Sequence, residues 1–369
     1  MAKLSMQMKM QKKRTSDDAL VGLEIESGSI GAAEVRTNGA TTLAATAYAS
    51  IPPEAFHDGE VGDPGVLAKS LRALFDANKL NRRVRLGIAN QRVVVRTIRL
   101  PAIEDPAELA SAVRFTAQEQ IAMPLDQAVI DHHVVGGVAA VDGAPPQLDV
   151  IVVAARRDMI SASLKPLLDA GLEPVGVDLS AFAMIRALAL DEQAVASSEA
   201  EPVGDPAAVL YCNVGDVSNL AVAKGRSCLF TRVSPIGLDN IAESLSSSAG
   251  LSSEHAQMWL EHVGLSQAVE RIEGDPELVA KVRSALENGA ASLLDELRLS
   301  LDFYGAQEAA VPVVRVVICG PGSAIPGLAE HMEPTLGLPI EVGRPEALAD
   351  LGAGTAARLT LPFGLALNH

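Results

Sequence analysis

Hydrophobic and polar positions alternate through LVGLEIE, SIGAAEVRTNG and TTLAATAYASI, which predicts three strands with a hairpin turn at Asn38-Gly39. The period then changes. VGDPGVLAKSLRALFDANKL places Val66, Leu67, Leu71, Leu74 and Phe75 on one helical face, and RVRLGIAN returns to a strand. VVVRTIRLP is a further strand, ended by Pro101. Asp105-Pro106-Ala107-Glu108 then has the form of an N-cap, a first-turn proline and a capping-box carboxylate. The helix it opens runs to about Ala122, with Leu109, Val113, Ala117 and Ile121 spaced by four. Two strands, AVIDHHVVGG and QLDVIVVAA, precede a helix to Leu168, and Gly171 follows where a helix C-terminus favours glycine. Residues 92–174 therefore read as a compact β-α-β-β-α unit inserted into a larger fold. EPVGVDLSAFAMIRALAL is a strand and a helix, and the polar stretch from Asp191 to Pro206 reads as a linker.

The opening order then recurs. AVLYCNVGDVSNLAVAKGRSCLFTRVSPIG repeats strand, polar turn, strand, glycine turn, strand. Setting Glu24 on Asn213 brings Ile25 onto Val214 and Ser29 onto Ser218, with Gly39 and Gly225 at nearly matching places. A repeat of this size implies two homologous halves, residues 19–200 and 201–369, behind a disordered tail of residues 1–18. After it, SSEHAQMWLEHVGL and DPELVAKVRSALENG predict helices. AASLLDELRLSLDFYGAQ predicts a further, long one with Leu293, Leu294, Leu297, Leu301 and Tyr304 on one side. VVRVVICGPGSAIPGLAEHM is a buried strand, a glycine turn and a helix start.

Composition narrows the class. Hydrophobic residues make up 48% of 369 but aromatics only 3%, so the core is Ala, Val and Leu in α/β layers. A formal net charge of -16 argues against a nucleic-acid surface, which rests on clustered Lys and Arg. Cys212, Cys228 and Cys319 lie in apolar runs without metal-ligand spacing and read as small hydrophobes in a reducing, cytoplasmic compartment. No run approaches the roughly 18 apolar residues of a membrane span.

Three turns that each follow an apolar strand carry the candidate chemistry: Glu24–Ser29 with Ser27, Asn213–Ser218 with Gly215, and Gly320–Ser323 with Gly322. Glycine lets backbone approach an anion closely, and successive N–H groups can hold it. A carboxylate beside them positions Mg²⁺ through water. One such turn is a common arrangement, but three, two of them related by the repeat, form a pattern.

At this point the order of segments resembles the PilM family, cytoplasmic assembly proteins of type IV pili. GLEIESGSIGAAEV, ELASAVRFTAQEQIAMPLDQAVIDHHVV, VDLSAFAMIRALAL, NVGDVSNLAVAKGRSCLFTRVSPIG, LLDELRLSLDFY and ICGPGSAIPGLAEHMEPTLGLPIEV carry the resemblance, which covers about residues 20 to 345. It implies an α/β actin-like fold of duplicated ribonuclease-H-like halves, with ATP and Mg²⁺ between the lobes. Glu24, Ser27, Ser29, Asn213, Gly215, Ser218, Gly320, Gly322 and Ser323 would line that nucleotide site. The inserted unit would replace the small outer subdomain of actin. The implied partner is the cytoplasmic N-terminus of PilN, a single-pass inner-membrane protein, alongside other assembly components. That places the chain at the inner face of the cytoplasmic membrane.

The chain departs from the family pattern at the charges. The family usually has Asp where Glu24 stands, Gly at Glu26, Lys at Gly31 and Asp at Asn213, and consecutive glycines where Pro321 intervenes. Glu26 adds about 1 to 4 kcal/mol of repulsion against a phosphate at contact distance. Gly31 and Asn213 remove a cation and a metal-directing carboxylate. The expectation is a nucleotide frame with poor electrostatics, in a docking scaffold whose ATP binding is weak or lost. A working, slowly hydrolysing ATPase and a sugar-kinase-like enzyme are the alternatives. No catalytic residue is nominated. Ser234 and Ser323 lack a His/Asp arrangement. His132 and His133 point to opposite strand faces, and His255 and His262 have no third ligand, so no metal is assigned either.

Overall fold

The same five-strand plan is built twice in this computed structural model, which describes residues 19–37, 41–138, 145–196, 207–307 and 310–367. The first half opens with β1 (Ala19–Glu26), β2 (Ser29–Thr37) and β3 (Thr41–Ser50), then β4 (Phe56–His57), β5 (Glu60–Val61), α1 (Pro64–Asn78) and β6 (Arg83–Ile88). The insert follows as β7 (Val94–Pro101), α2 (Pro106–Gln120), β8 (Ala128–Val138), β9 (Gln147–Arg156) and α3 (Arg157–Asp169), and β10 (Glu173–Leu179) and α4 (Ser180–Ala196) close the half. The second half runs β11 (Ala208–Val214), β12 (Ser218–Lys224), β13 (Ser227–Ser234), α5 (Leu238–Ala249), α6 (Ser253–His262) and α7 (Pro276–Gly305). It ends with β14 (Val313–Cys319), α8 (Leu328–Leu336), β15 (Ile340–Val342) and α9 (Ala353–Ala366). The expected tail at residues 1–18, the Asn38-Gly39 turn and residues 197–206 of the expected linker lie outside the described residues; α4 itself takes in residues 191–196.

Each sheet is an antiparallel meander continued by two parallel strands. The orders are β3-β2-β1-β6-β10 and β13-β12-β11-β14-β15, so the repeat read from sequence is a repeat of topology. β1 and β11 occupy the same central place, and β11 is buried along its whole length. Central strands covered on both faces read as nearly continuous apolar runs. Their turns differ by one residue. Glu26 pairs with Ser29 around Ser27-Gly28, whereas Val214 pairs with Ser218 around Gly215-Asp216-Val217.

The helices begin where their caps say they should. The Asp63 carboxylate accepts from the N–H groups of Gly65 and Val66 and starts α1, which buries Leu67, Leu71, Leu74 and Phe75. Asp105 caps α2 in the same way, through Ala107 and Glu108. α2 covers the three-stranded sheet β7-β9-β8, with Ile98, Leu100, Val113, Ala117, Val150 and Val152 in a small core of its own. The order β-α-β-β-α is present, but its last helix faces elsewhere. α3 buries Met159 and Leu167 among Leu71 and Phe75, in the core of the first lobe.

Two further differences from the sequence reading have packing reasons. Asn288-Gly289 resembles a helix stop, yet α7 runs unbroken through 30 residues. Gly289 lies against Ile241 of α5, and a Cβ there would stand 2.9 Å from Ile241 Cγ1. Close helix approach at that point offsets the roughly 1 kcal/mol that glycine costs inside a helix. The second difference is α9, which the sequence places in the second half at 201–369. In the structure it lies across β1 and β2 of the first sheet, held at its end by Arg85, which donates to the Leu365 and Leu367 carbonyls at 2.9 and 2.6 Å.

Between the lobes, α4 and α9 build a continuous apolar core in which Met184 and Leu188 meet Tyr211, Ala221 and Phe363. α9 can approach β1 because Gly22 has no side chain: a Cβ there would fall 1.9 Å from the Pro362 carbonyl oxygen. Gly22→Ala is therefore expected to lower stability by about 1–3 kcal/mol, the usual cost of overpacking, in a denaturant melt. Gly28→Ala meets no neighbouring atom, so its cost is confined to its backbone φ of 74°.

Candidate interlobe cleft

β1 and β11 hold equivalent central places in the two sheets, and their turns meet at the seam between the lobes. Glu24 near the end of β1 is buried, and its Oε1 accepts a 2.6 Å hydrogen bond from Ser180 Oγ at the start of α4. Its Oε2 is buried with no hydrogen-bond partner. The longer Glu side chain fits here only because Gly87 on β6 leaves the space; a Cβ at Gly87 would lie 1.9 Å from that oxygen. Glu26, two residues on, accepts at 3.4 Å from Asn213 Nδ2 across the seam. Gly215 lies against it, with the position of an added Cβ 2.4 Å from Glu26 Oε1.

Asp216 makes the shortest link between the turns. Its Oδ2 accepts the Ser27 backbone N–H at 2.7 Å, and its Oδ1 accepts the Val217 N–H, also at 2.7 Å. The second turn is braced from behind by α5, where Leu238 N–H donates to the Gly215 carbonyl at 2.8 Å. Gly237 lies so close that an added Cβ would stand 2.2 Å from the Asp216 carbonyl oxygen.

The third turn packs on the second. Gly320, at φ 79°, would place a Cβ 2.2 Å from Asn213 Oδ1, and Gly322 would place one 2.3 Å from Val214 Cγ1. Ser323 Oγ donates to the Gly320 carbonyl at 2.8 Å, and Ser218 Oγ to the Ile236 carbonyl at 2.6 Å. Ser29 is buried at the start of β2. The three turns hold Glu24, Ser27, Ser29, Asn213, Gly215, Ser218, Gly320, Gly322 and Ser323, and the glycines and two of the hydroxyls are already engaged by the protein itself. The space left between Glu24, Glu26, Gly87, Asn213 and Asp216 is a cavity of about 20 Å³, and among the described residues no Lys or Arg lines it.

Four carboxyl groups in this neighbourhood are shifted in one direction. Burial raises Glu24 well above the ordinary carboxyl range, against the Ser180 hydrogen bond that favours its ionised form. Burial, then the Asp216 charge, raises Glu26 to about 8, with Asn213 and Arg358 opposing. Asp216 is raised by burial despite its two amide donors, and Asp239 on α5 is raised by burial as well. Sequence reasoning missed Asp216, Asp239 and Ser180. Asp216 stood beside Gly215 in the quoted turn NVGDVS, and a carboxylate inside an anion-binding turn was the available signal.

A family model described as Type IV pilus assembly protein PilM matches residues 22–361. The chain belongs to this PilM family. Among solved structures, this PilM-family protein is similar to the PilM-PilN type IV pilus biogenesis complex, with 25% identity and a TM-score of 0.77 over 94% of this chain and 97% of that one. Ethanolamine utilization protein EutJ from Carboxydothermus hydrogenoformans matches at 16% identity and a TM-score of 0.50, over 94% of this chain and 89% of that one. MreB 5 of Spiroplasma citri bound to AMPPNP matches at 11% identity and a TM-score of 0.50, over 94% of each chain. The last two show the fold alone. The fold is the actin-like one, and the duplicated sheets carry it.

Proposed function

We propose that this PilM-family protein is a scaffold of type IV pilus assembly that docks the cytoplasmic N-terminal peptide of a single-pass, PilN-like inner-membrane protein and does so without holding nucleotide. The similarity to the PilM-PilN complex over 94% of the chain supports the partner. Among the described residues no helix is long and apolar enough to cross a membrane, so on this reading the partner holds the chain at the inner face of the cytoplasmic membrane. The second part of the proposal rests on the cleft. A triphosphate needs donors and cations, and this cleft offers three carboxyl groups and a first-turn amide already bonded to Asp216.

The insert is the proposed docking element. Its sheet and α2 form a separate small core, and Phe115 on α2 is 69% exposed. A large apolar side chain standing in solvent on a helix is suited to an apolar peptide. Arg114 is also exposed, but its guanidinium donates to the Leu125 carbonyl at 3.3 Å, so charge reversal there would loosen the helix as well. Phe115→Asp is the cleaner probe. Titration of the PilN-type N-terminal peptide is expected to show binding that Mg-ATP does not strengthen, and Phe115→Asp is expected to weaken it about tenfold. Absence of binding, or binding that requires Mg-ATP, would overturn the proposal.

A further inference from the structure

We infer that Asp216 is the cleft's built-in anion: its carboxylate takes the place a phosphate would hold between the two repeat-related turns and latches the lobes together without nucleotide. The inference rests on reading the cleft as one that holds no nucleotide, and it adds what occupies the position instead. With Glu24 set on Asn213, Ser27 and Asp216 are equivalent positions of the two halves. They meet across the seam. One carboxylate oxygen accepts the amide of the first turn and the other accepts the amide of its own turn, each at 2.7 Å. An ionised acceptor between converging backbone N–H groups is the arrangement such turns provide for an anion, and here the anion is covalently part of the chain.

The surrounding residues hold it there. Gly237 and Leu238 at the start of α5 brace the Asp216 backbone from behind, which leaves it no room to withdraw while α5 is docked. Asn213 reaches Glu26 alongside, as a second bond across the seam. At the rim, Arg358 of α9 donates to Tyr48 Oη on β3 at 3.0 Å and to Glu261 Oε1 on α6 at 2.6 Å, while its guanidinium stacks over the Tyr48 ring. Both sites tie the first lobe, on which α9 lies, to the second. In a cleft closed by a ligand, closure reports the ligand. In this one closure is a property of the fold, and the docking surfaces outside it keep one relative position.

Hydrogen exchange at the Ser27 amide reads the latch directly, whether or not the partner peptide binds. In nucleotide-free protein that amide is expected to be protected, and excess Mg-ATP is expected to leave its rate unchanged. Asp216→Ala is expected to raise the rate about tenfold or more, the scale of losing one charge-assisted hydrogen bond. The same variant is expected to take up inorganic tripolyphosphate that the unmodified protein ignores. Should Asp216→Ala fail to fold, the measurement on the unmodified protein still decides. A Ser27 amide that exchanges freely without nucleotide, or gains protection only when Mg-ATP is added, overturns the latch. So does an Asp216→Ala protein whose Ser27 rate is unchanged.

Discussion

Above about pH 8, calorimetry with Mg-ATP is expected to give no measurable binding to the unmodified protein and weak but measurable binding to the Glu26→Gly/Asn213→Asp double variant, which still carries the Asp216 latch. Glu26 lies beside the seam with its carboxylate against Gly215, where an incoming phosphate would meet it. Glu26 is pushed to about 8 in the fold, so it is mostly charged only above that pH; there, two like charges at contact distance in a partly solvated site repel by about 1 to 4 kcal/mol, about fivefold to several-hundredfold in affinity. Glycine at position 26 removes both that charge and the side chain that receives Asn213 Nδ2. Aspartate at 213 returns a carboxylate to the second turn, beside the buried Glu24, where it is tolerable only when a cation offsets it. The gain should therefore appear with Mg²⁺ and vanish on chelation. Adding Asp216→Ala frees the Ser27 N–H and should raise affinity further. Tight Mg-ATP binding by the unmodified chain would remove the electrostatic argument altogether.

Stability is expected to fall as pH rises from about 4.5 to about 8, and Glu26→Gln is expected to flatten that decline. Glu26 has an ordinary value of 4.5 and is pushed to about 8 in the fold. Between those values the folded protein keeps a proton that the unfolded chain gives up. Native protein then binds more protons, so stability is greatest at the acid end of the window, declines through it and levels off above about 8. Glu24, Asp216 and Asp239 are raised for the same reason and act in the same direction. The groups facing them mostly add negative charge, Asp178 from β10 toward Glu24 and Asp239 from α5 toward Glu26 and Asp216; Arg358 from α9 opposes at Glu26. Denaturant melts across that range would read the slope. Identical profiles for the unmodified protein and Glu26→Gln would mean that Glu26 gives up its proton as readily in the fold as out of it.

Much of this molecule is written locally. Asp105 announces α2 because a capping carboxylate needs only amides two and three residues on, the same local bond by which Asp63 caps α1 in the structure. The alternation that marks β1 to β3 and recurs in β11 to β13 was enough to read the duplication, since strand faces are set by a period of two. The nine turn residues also fall where their strands place them. What the chain alone left open depends on atoms distant in sequence. Asn288-Gly289 reads as a break until Ile241 lies against it. α9 follows the second half in the chain but belongs to the first sheet because Gly22 leaves a groove for Pro362. In the cleft, Glu24 and Glu26 were visible as misplaced charges, but Asp216 was not visible as their companion. Its partner amide at Ser27 is 189 positions away, and a hydrogen bond between two halves exists only once both sheets have packed. Propensity and period act over a few residues, whereas the closing of a cleft is decided by packing and burial, which sum over the whole fold.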